Sequence, residues 1–530
     1  MPSLVSVHQN SYKDSVKLLE ATRALLSADG VQWGWAFMAT PANVETAAQE
    51  GASDGLENAG ANDLVLAVRA DDDDAAKAAL ETASGILFEA TSAADGDEEK
   101  IAPDLASAVK EQADSNLAIV SVPGAYATLE AHKALSAGLN VLLFSDNVPL
   151  EDEVALKKRA QELGLLVMGP GAGTAMLGGT GLAFANRVNK GSVGVLSAAG
   201  TGAQEVMSLL DRWGIGVSHV IGLGGRDLSP EVGGLMAQSA IKALDADPDT
   251  KTILLVSKPP SKDVAEMLVN LPKKPMVAAY IGLQDKIPAP LHIKVCNTLE
   301  QGVRDTLPFH GVTPPEIVGD LPARLDKTID GMDAGRTRLS GLYSGGTLCY
   351  EAMTIATQRI GPIHSNIPLN KSWTLDSAAP DAHVFLDLGE EEYTDGRPHP
   401  MIDTEARIEF MRKQIGDTSL AAVLLDVVIG DGAHDDPASV LAPVAGEIVA
   451  SGVPVVVYVL GTDSDPQAFD RQRKTFEDAG CIVTETAARA ALAACALVQR
   501  DSSIVSEDLA TPLQTTNTEH PAFANLGASG

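Results

Sequence analysis

The stretch LAIVSVPGAYATLEAHKALSAGLNVLLFSDNVPLEDEVALKKRAQELGLLVMGP (117–170) decides the fold. Leu117–Val122 reads as a strand, Pro123-Gly124 as a turn and Tyr126–Ala137 as a helix closed by Gly138. Val141–Ser145 is the next strand. Leu150–Leu163 is a helix closed by Gly164, and Leu165–Met168 is a third strand stopped by Gly169-Pro170. Helices ended by glycine and followed by continuous apolar strands are the pattern of a parallel sheet. The scheme returns over 190–283. Strand Val193–Leu196 leads through SAAGTG (197–202) into a helix from Ala203 to Trp213, with later strands at Val217–Leu223, Ile253–Ser257 and Met276–Ile281.

Residues 338–500 read as a second copy of that unit. A G-T-x-x-x-E motif follows a strand in both, at one constant interval: Gly200, Thr201, Glu205 and Gly346, Thr347, Glu351. HVIGLGG (219–225) resembles HVFLDLG (383–389), TILLVSK (252–258) resembles AVLLDVV (422–428), and PMVAAYIG (275–282) resembles PVVVYVLG (454–461). One such pair is chance; four in the same order argue for duplicated flavodoxin-like domains. Upstream, strands at Leu4–Val7, Trp35–Ala39 and Leu64–Val68 alternate with helices at Ser15–Leu26 and Asp71–Phe88. The expected fold class is α/β, with several Rossmann-like or flavodoxin-like parallel-sheet domains and a small N-terminal α+β domain. The expected divisions are 1–88, 114–189, 190–335, 336–500 and a flexible tail over 501–530. The first half of 89–113 reads as an acidic linker, and 284–335 as irregular connection with short helices.

The 530 residues suit three or four domains. Acids outnumber bases 71 to 39, a net charge of −32, which excludes a nucleic-acid or anionic-membrane partner bound by general attraction. An anionic substrate must then be held by local dipoles and a few well-placed cations. Cys296, Cys349, Cys481 and Cys495 form no C-x-x-C pair, so neither a zinc ribbon nor a disulfide framework is expected. Cys349 reads as core. No signal-like segment and no membrane-length apolar run is read, so the expected location is the cytoplasm.

The two Gly-Thr turns are the first candidate site. A turn between a parallel strand and a helix presents free backbone amides and the positive end of the helix dipole, so anions bind there. Ala199, Gly200, Thr201 and Gly202, with Gly345, Gly346 and Thr347, are the expected phosphate-binding residues, and Glu205 and Glu351 support them. In the loop GLGGRDLSPEVGG (222–234), Arg226 offers a planar fork for a carboxylate or phosphate and Asp227 orients it; alternatively the pair only fixes the loop. In GEEEYTDGRPHPMID (389–403), Arg397 is the second substrate-binding candidate. His399, held between prolines, is the candidate for proton transfer or a rigid structural histidine. His434 with Asp431, Asp435 and Asp436 suggests either a cation loop or a solvated one; no metal site is expected.

Longer motifs carry a resemblance. VPGAYATLEAHK…LVMGP (122–170) looks like the CoA-binding domain of the succinyl-CoA synthetase α subunit. YSGGTLCYEA (343–352) resembles the phosphate helix of that superfamily's ligase domain, with SAAGTGAQEV (197–206) as its counterpart. LVMGP, GLAFAN, GVLSAAGTGAQE, HVIGLGGRDLSPEVGG, VSKPP and GRPHPMID together resemble the FdrA family, over nearly the whole chain to about residue 500. The resemblance implies a CoA-binding-like domain at 114–189, two ligase-like domains after it, and a subunit of an oxamate carbamoyltransferase in purine (allantoin) catabolism. Such an enzyme interconverts oxalurate plus phosphate with oxamate plus carbamoyl phosphate. That reaction requires no cofactor; CoA is the cofactor the resemblance allows. Small anionic substrates, other enzyme subunits and further copies of the chain are the implied partners. Two alternatives stand beside it: an NDP-forming acyl-CoA synthetase, and a non-catalytic assembly subunit. No Gly-His-Ala loop follows Met276–Ile281, and no Gly-rich turn precedes residue 117, where the acyl-CoA synthetase pattern places them.

Overall fold

The computed structural model describes residues 2–11, 13, 15–49, 51–52, 55–56, 59–88, 102–394, 397–509 and 513–516. Two compact units emerge: residues 1–101 with 390–399, and residues 102–389 with 400–530. The expected linker at 89–101 lies outside the described residues. Among the described residues no helix is long and apolar enough to cross a membrane.

The first unit runs β1 (Ser3–His8), α1 (Ser15–Ser27), β2 (Val31–Met38), α2 (Pro41–Gln49), β3 (Leu64–Ala70) and α3 (Asp73–Phe88). β3 lies between β1 and β2, antiparallel to both. Leu64, Leu66 and Val68 of β3 pack with Ala21 and Leu25 of α1 and Ala76, Ala79 and Ala83 of α3. Val65 and Ala67 of β3 join a second cluster with Phe37 and with Ala47 of α2. A strand buried on both faces shows no alternation, as LVLAVRA shows none. The sequence reading passed over α2, whose nine residues carry one large apolar side chain, Val44, and so no helical stripe.

The second unit opens with α4 (Leu105–Glu111), β4 (Leu117–Val120), α5 (Gly124–Ser136), β5 (Asn140–Leu143), α6 (Leu150–Leu163) and β6 (Val167–Met168). Its three strands form the expected parallel sheet. Next come β7 (Thr174–Leu177), β8 (Thr180–Ala183), β9 (Lys190–Ser197), α7 (Gly200–Arg212), β10 (Val217–Gly222), α8 (Leu235–Ala246), β11 (Thr252–Ser257), α9 (Lys262–Val269), β12 (Met276–Tyr280), β13 (Ile287–Ala289), β14 (Ile293–Cys296), α10 (Leu299–Thr306) and α11 (Leu321–Asp330). The chain continues with β15 (Arg338–Tyr343), α12 (Gly346–Ile360), β16 (Ile363–Ser365), β17 (His383–Asp387), α13 (Glu391–Thr394), which belongs to the first unit, α14 (Glu405–Arg412), β18 (Leu420–Val428), α15 (Pro437–Ala450), β19 (Val455–Leu460), α16 (Phe469–Asp478), β20 (Ile482–Thr484), α17 (Ala487–Gln499) and β21 (Gln514–Thr516).

The duplication is visible in the topology. One sheet is ordered β14-β12-β11-β9-β10 and extends to β7-β8; the other is ordered β20-β19-β18-β15-β17 and extends to β16. Both carry the flavodoxin-like order. Three expectations change. The hairpin β7–β8 pairs onto β10 and so covers an edge of the first copy's sheet, although the sequence reading gave it to 114–189. The proline-rich 284–335 contributes β14, a parallel edge strand. The tail is structured at its start: Ile504, Val505, Leu509 and Leu513 are buried, and β21 pairs with β13. Its polar composition conceals these few apolar anchors.

Four helices, α7, α10, α12 and α17, pack against one another within a single hydrophobic cluster that draws on both sheets. Residues Thr201–Leu210 of α7 and Ala487–Leu497 of α17 are buried all round, as a helix enclosed on every side must be. The copies are also joined by exchanged carboxylates. Glu351 of α12 accepts from Leu299 N at 2.6 Å, the first residue of α10 in the other copy. Glu205 of α7 accepts from Ala487 N at 3.5 Å, the first residue of α17, and from the Tyr458 hydroxyl. Glu300 of α10 binds Arg489 of α17 through Nε at 3.0 Å and Nη2 at 2.5 Å, and accepts from Thr486 Oγ1 at 2.7 Å.

Burial, reinforced by the neighbouring glutamates, pushes Glu205 up to about 7 and Glu351 up to about 8. Below the ordinary value of 4.5 both folded and unfolded chains carry these protons. Between there and about 8 the folded chain keeps protons that the unfolded chain releases, so stability falls as pH rises. The slope is at most about 1.4 kcal/mol per pH unit for each group. Glu351→Gln keeps the bond to Leu299 and removes one of the two titrations. Thermal unfolding from pH 5 to 8 should show a shallower decline for the variant; parallel curves would place the proton elsewhere.

Candidate functional site

The first Gly-Thr turn lies where β9 ends and α7 begins. Its N-cap, Ala199, is extended and carries no capping side chain, and the amides of Gly200, Thr201 and Gly202 have no acceptor among the described residues. Ser197 Oγ is turned inward, donating to Ala199 O at 2.7 Å and accepting from Ala199 N at 3.2 Å. A small cavity of about 20 Å3 opens here, lined by residues 171–174, 197–200, 222, 224 and 225. No lining residue has an ionisable side chain. Glycine is required at Gly224 (φ +87°), where a Cβ would stand 2.7 Å from Gly169 C and O. Thus Ala199 and Gly200 line the cavity as expected. Thr201 and Gly202 face the other copy, where Thr201 packs against Gly345 and Thr347 against Gly202.

The second turn is built differently. Asp426, buried at the end of β18, accepts from Ser344 N at 2.8 Å, Ser344 Oγ at 3.1 Å and Gly345 N at 2.7 Å. Asp387 stands so close that a Cβ on Gly346 would collide with its Oδ2. Arg407, buried beneath, lies 3.1 Å from Asp426 Oδ1. The anion at the start of α12 is therefore the protein's own, and the phosphate expected at Gly345, Gly346 and Thr347 would meet two carboxylates. The first copy lacks both. Leu196 pairs with Leu255 as Leu342 pairs with Leu425, which sets Val256 where the second copy has Asp426. Ser197 pairs with Gly222 as Tyr343 pairs with Asp387. The sequence reading missed these aspartates and the cavity residues Thr174, Ser197 and Gly222. The signal was present as the differences inside the matched segments, HVFLDLG against HVIGLGG and AVLLDVV against TILLVSK.

Arg226 and Asp227 do not pair with each other. Asp227, fully buried, accepts from Met236 N at 3.0 Å and Ala237 N at 2.9 Å in the first turn of α8, and from Lys157 Nζ at 2.9 Å. Lys157 Nζ also binds Glu153 at 2.7 Å and Leu223 O at 2.9 Å. Arg226 Nε binds Glu153 at 2.9 Å and its Nη2 binds Val148 O at 2.7 Å. This network locks α6 onto the loop after β10, so Arg226 and Asp227 act in packing. Glu205 and Glu351, expected to support phosphate, cap the opposite copy's helices. Arg397, exposed, and His399, half-buried, belong to the first unit, whereas every residue lining the cavity belongs to the second. Asp431 pairs with Arg187 and Asp436 with Arg471, and among the described residues no three metal-binding side chains cluster. Cys349 is buried, as expected. Lys157→Met strips the buried Asp227 of its cation, leaves Glu153 with Arg226 alone, and should cost about 3–5 kcal/mol of stability in denaturant unfolding. Arg226→Ala removes a half-exposed cation from a buried Glu153 that keeps Lys157, and should cost less, about 1–2 kcal/mol.

Residues 342–497 match the CoA-ligase family model, and residues 1–103 match the model described as AllF, heavy metal-associated domain. The latter stretch has no cysteine, so its donors do not fit a soft heavy-metal ion. The ADP-forming succinate–CoA ligase subunit alpha 1 of Archaeoglobus fulgidus is 29% identical over 177 residues, 32% of this chain and 60% of its own length. The chain thus spans less than two thirds of that relative. The dinucleotide-forming acetyl-coenzyme A synthetase 1 of Ca. Korarchaeum cryptofilum, solved with phosphate and ADP, aligns over 75% of this chain and 85% of its own at 16% identity and a TM-score of 0.26. The uncharacterized protein YahF of Escherichia coli K12 is 35% identical over 517 residues, 92% of this chain and 97% of that one. A likeness that holds across nearly the full length of both chains, around a CoA-ligase-like α/β core, makes this chain a member of the YahF family.

Proposed function

We propose that the chain is a CoA-ligase-like acyl-transferring enzyme subunit that handles the phosphate end of an acyl phosphate in the cavity at the start of α7. The observation that supports this reading is the difference between the two copies. The start of α12 is filled by Asp426 and Asp387, while the start of α7 has Val256 and Gly222 in their places and open amides. A helix start with free N–H groups binds an oxyanion through the backbone and the helix dipole, which the overall acidity of the chain does not prevent. The lining has no ionisable side chain, so this chain binds and orients the phosphate end while acid–base groups come from the substrates or from other subunits.

In the first reading the acyl group passes between phosphate and CoA, as the likeness to CoA ligases suggests. In the second it is a carbamoyl group: oxalurate and phosphate yield oxamate and carbamoyl phosphate. The observation favouring the second is that no histidine lies among the cavity's lining residues or in the segments 281–286 and 461–468 that follow β12 and β19.

Phosphorus NMR of the full chain with inorganic phosphate, and either succinyl-CoA or oxalurate, separates these readings. An acyl phosphate signal with one donor identifies the acyl group. No signal with either donor, alone or with partner subunits, would leave the chain an assembly subunit. At Gly200 a Cβ would have ordinary van der Waals contact with Thr174 Oγ1 at 3.6 Å and nothing closer. Gly200→Leu should therefore fold, fill the cavity and lower phosphate-dependent turnover at least about tenfold.

A further inference from the structure

Thr174 opens β7, beside the cavity and opposite the start of α7. It is 3% exposed, and its hydroxyl has no hydrogen-bond partner among the described residues. It lines the cavity, and its Oγ1 is the atom nearest to where Gly200 would carry a side chain, at 3.6 Å. The Thr174 hydroxyl is not among the wholly enclosed, unpartnered polar atoms such as Ser208 Oγ and Thr357 Oγ1, so on this otherwise buried side chain it is a donor left open to the cavity. Valine has the same shape and would fill this position in the strand without presenting a donor to the cavity. Ser197, the other hydroxyl of the cavity, is already committed to the backbone of Ala199. The cavity thus holds one uncommitted side-chain donor, facing a set of uncommitted backbone amides, with no cation among its lining residues.

We infer that Thr174 is a ligand-binding residue whose hydroxyl completes, with the amides at the start of α7, a cradle for one tetrahedral oxyanion: inorganic phosphate or the phosphate end of an acyl phosphate. This rests on the proposed phosphate role of the cavity and adds the side chain that fixes the anion's orientation. The amides at the helix start approach from one side, and Thr174 approaches from the hairpin that covers the sheet edge. Because every donor is uncharged, selectivity comes from the number and direction of hydrogen bonds, and binding depends only weakly on salt.

The test is binding of radiolabelled orthophosphate to the full chain by equilibrium dialysis, with thermal unfolding measured with and without phosphate. Thr174→Val should weaken binding about tenfold to a hundredfold, the usual effect of deleting one hydrogen bond to a charged group. Its unfolding temperature without phosphate should equal or exceed that of the native protein, which separates a ligand role from a structural one. Thr174→Ser should bind within about threefold of native. If native protein binds phosphate, Gly200→Leu does not, and Thr174→Val binds as native does, the inference about Thr174 is overturned while the cavity's role stands. If native protein binds neither orthophosphate nor acetyl phosphate, both are overturned.

Discussion

A helix that begins inside a protein brings unpaired N–H groups with it, and they must find acceptors that water cannot supply. The centre of this molecule poses that problem four times, because α7, α10, α12 and α17 all start between the duplicated sheets. At three of them carboxylates from elsewhere in the chain stand by. Glu351 binds the first amide of α10 and Glu205 that of α17, while Asp426 binds the Ser344 and Gly345 amides just ahead of α12 and Asp387 lies against Gly346. The fourth, α7, has no such acceptor, and the cavity lies there. The arrangement of the core thereby singles out one helix start.

The two copies share strand order and helix placement but diverge at the strand ends that face their first helix. Asp426 and Asp387 sit where the first copy has Val256 and Gly222. Each carboxylate needs burial support, and Arg407 supplies it beneath Asp426. Burial holds the Arg407 guanidinium below its ordinary range while Asp426 opposes that shift, the balance expected for an enclosed ion pair. The second copy thus keeps the architecture of an anion site and fills it internally. The first keeps the same architecture open.

Much of the fold was legible because parallel strands buried on both faces are continuous apolar runs, and glycine ends the helices before them. The repeat was legible because four motifs keep their order. What escaped was short or lacked a stripe: α2, the edge strand β14 after its prolines, and the apolar anchors within the polar tail. The site was half legible. The Gly200 turn is marked by composition, since only small residues let a backbone approach a ligand. Whether a turn is open depends on side chains from distant strands. Asp426 lies 81 residues beyond Gly345, and sequence proximity cannot disclose it. Arg226 and Asp227 had the right chemistry for a substrate, yet Lys157 and Glu153, some 70 residues upstream, had already claimed them. A charged residue in a loop at a strand end is thus ambiguous until its buried partners are known.

The exchange of Glu205 and Glu351 across the duplication has a consequence for the independence of the halves. A chain cut between α11 and β15 would leave α10 without the acceptor that Glu351 provides. The C-terminal piece would likewise hold α17 without Glu205. Each fragment would also carry a glutamate intended for its twin, and Glu300 and Arg489 would be parted. The copies are alike enough to have once been separate, but their reciprocal caps have since made them a single cooperative body. Fission of this gene into two freely folding products is closed to it unless the two polypeptides meet again.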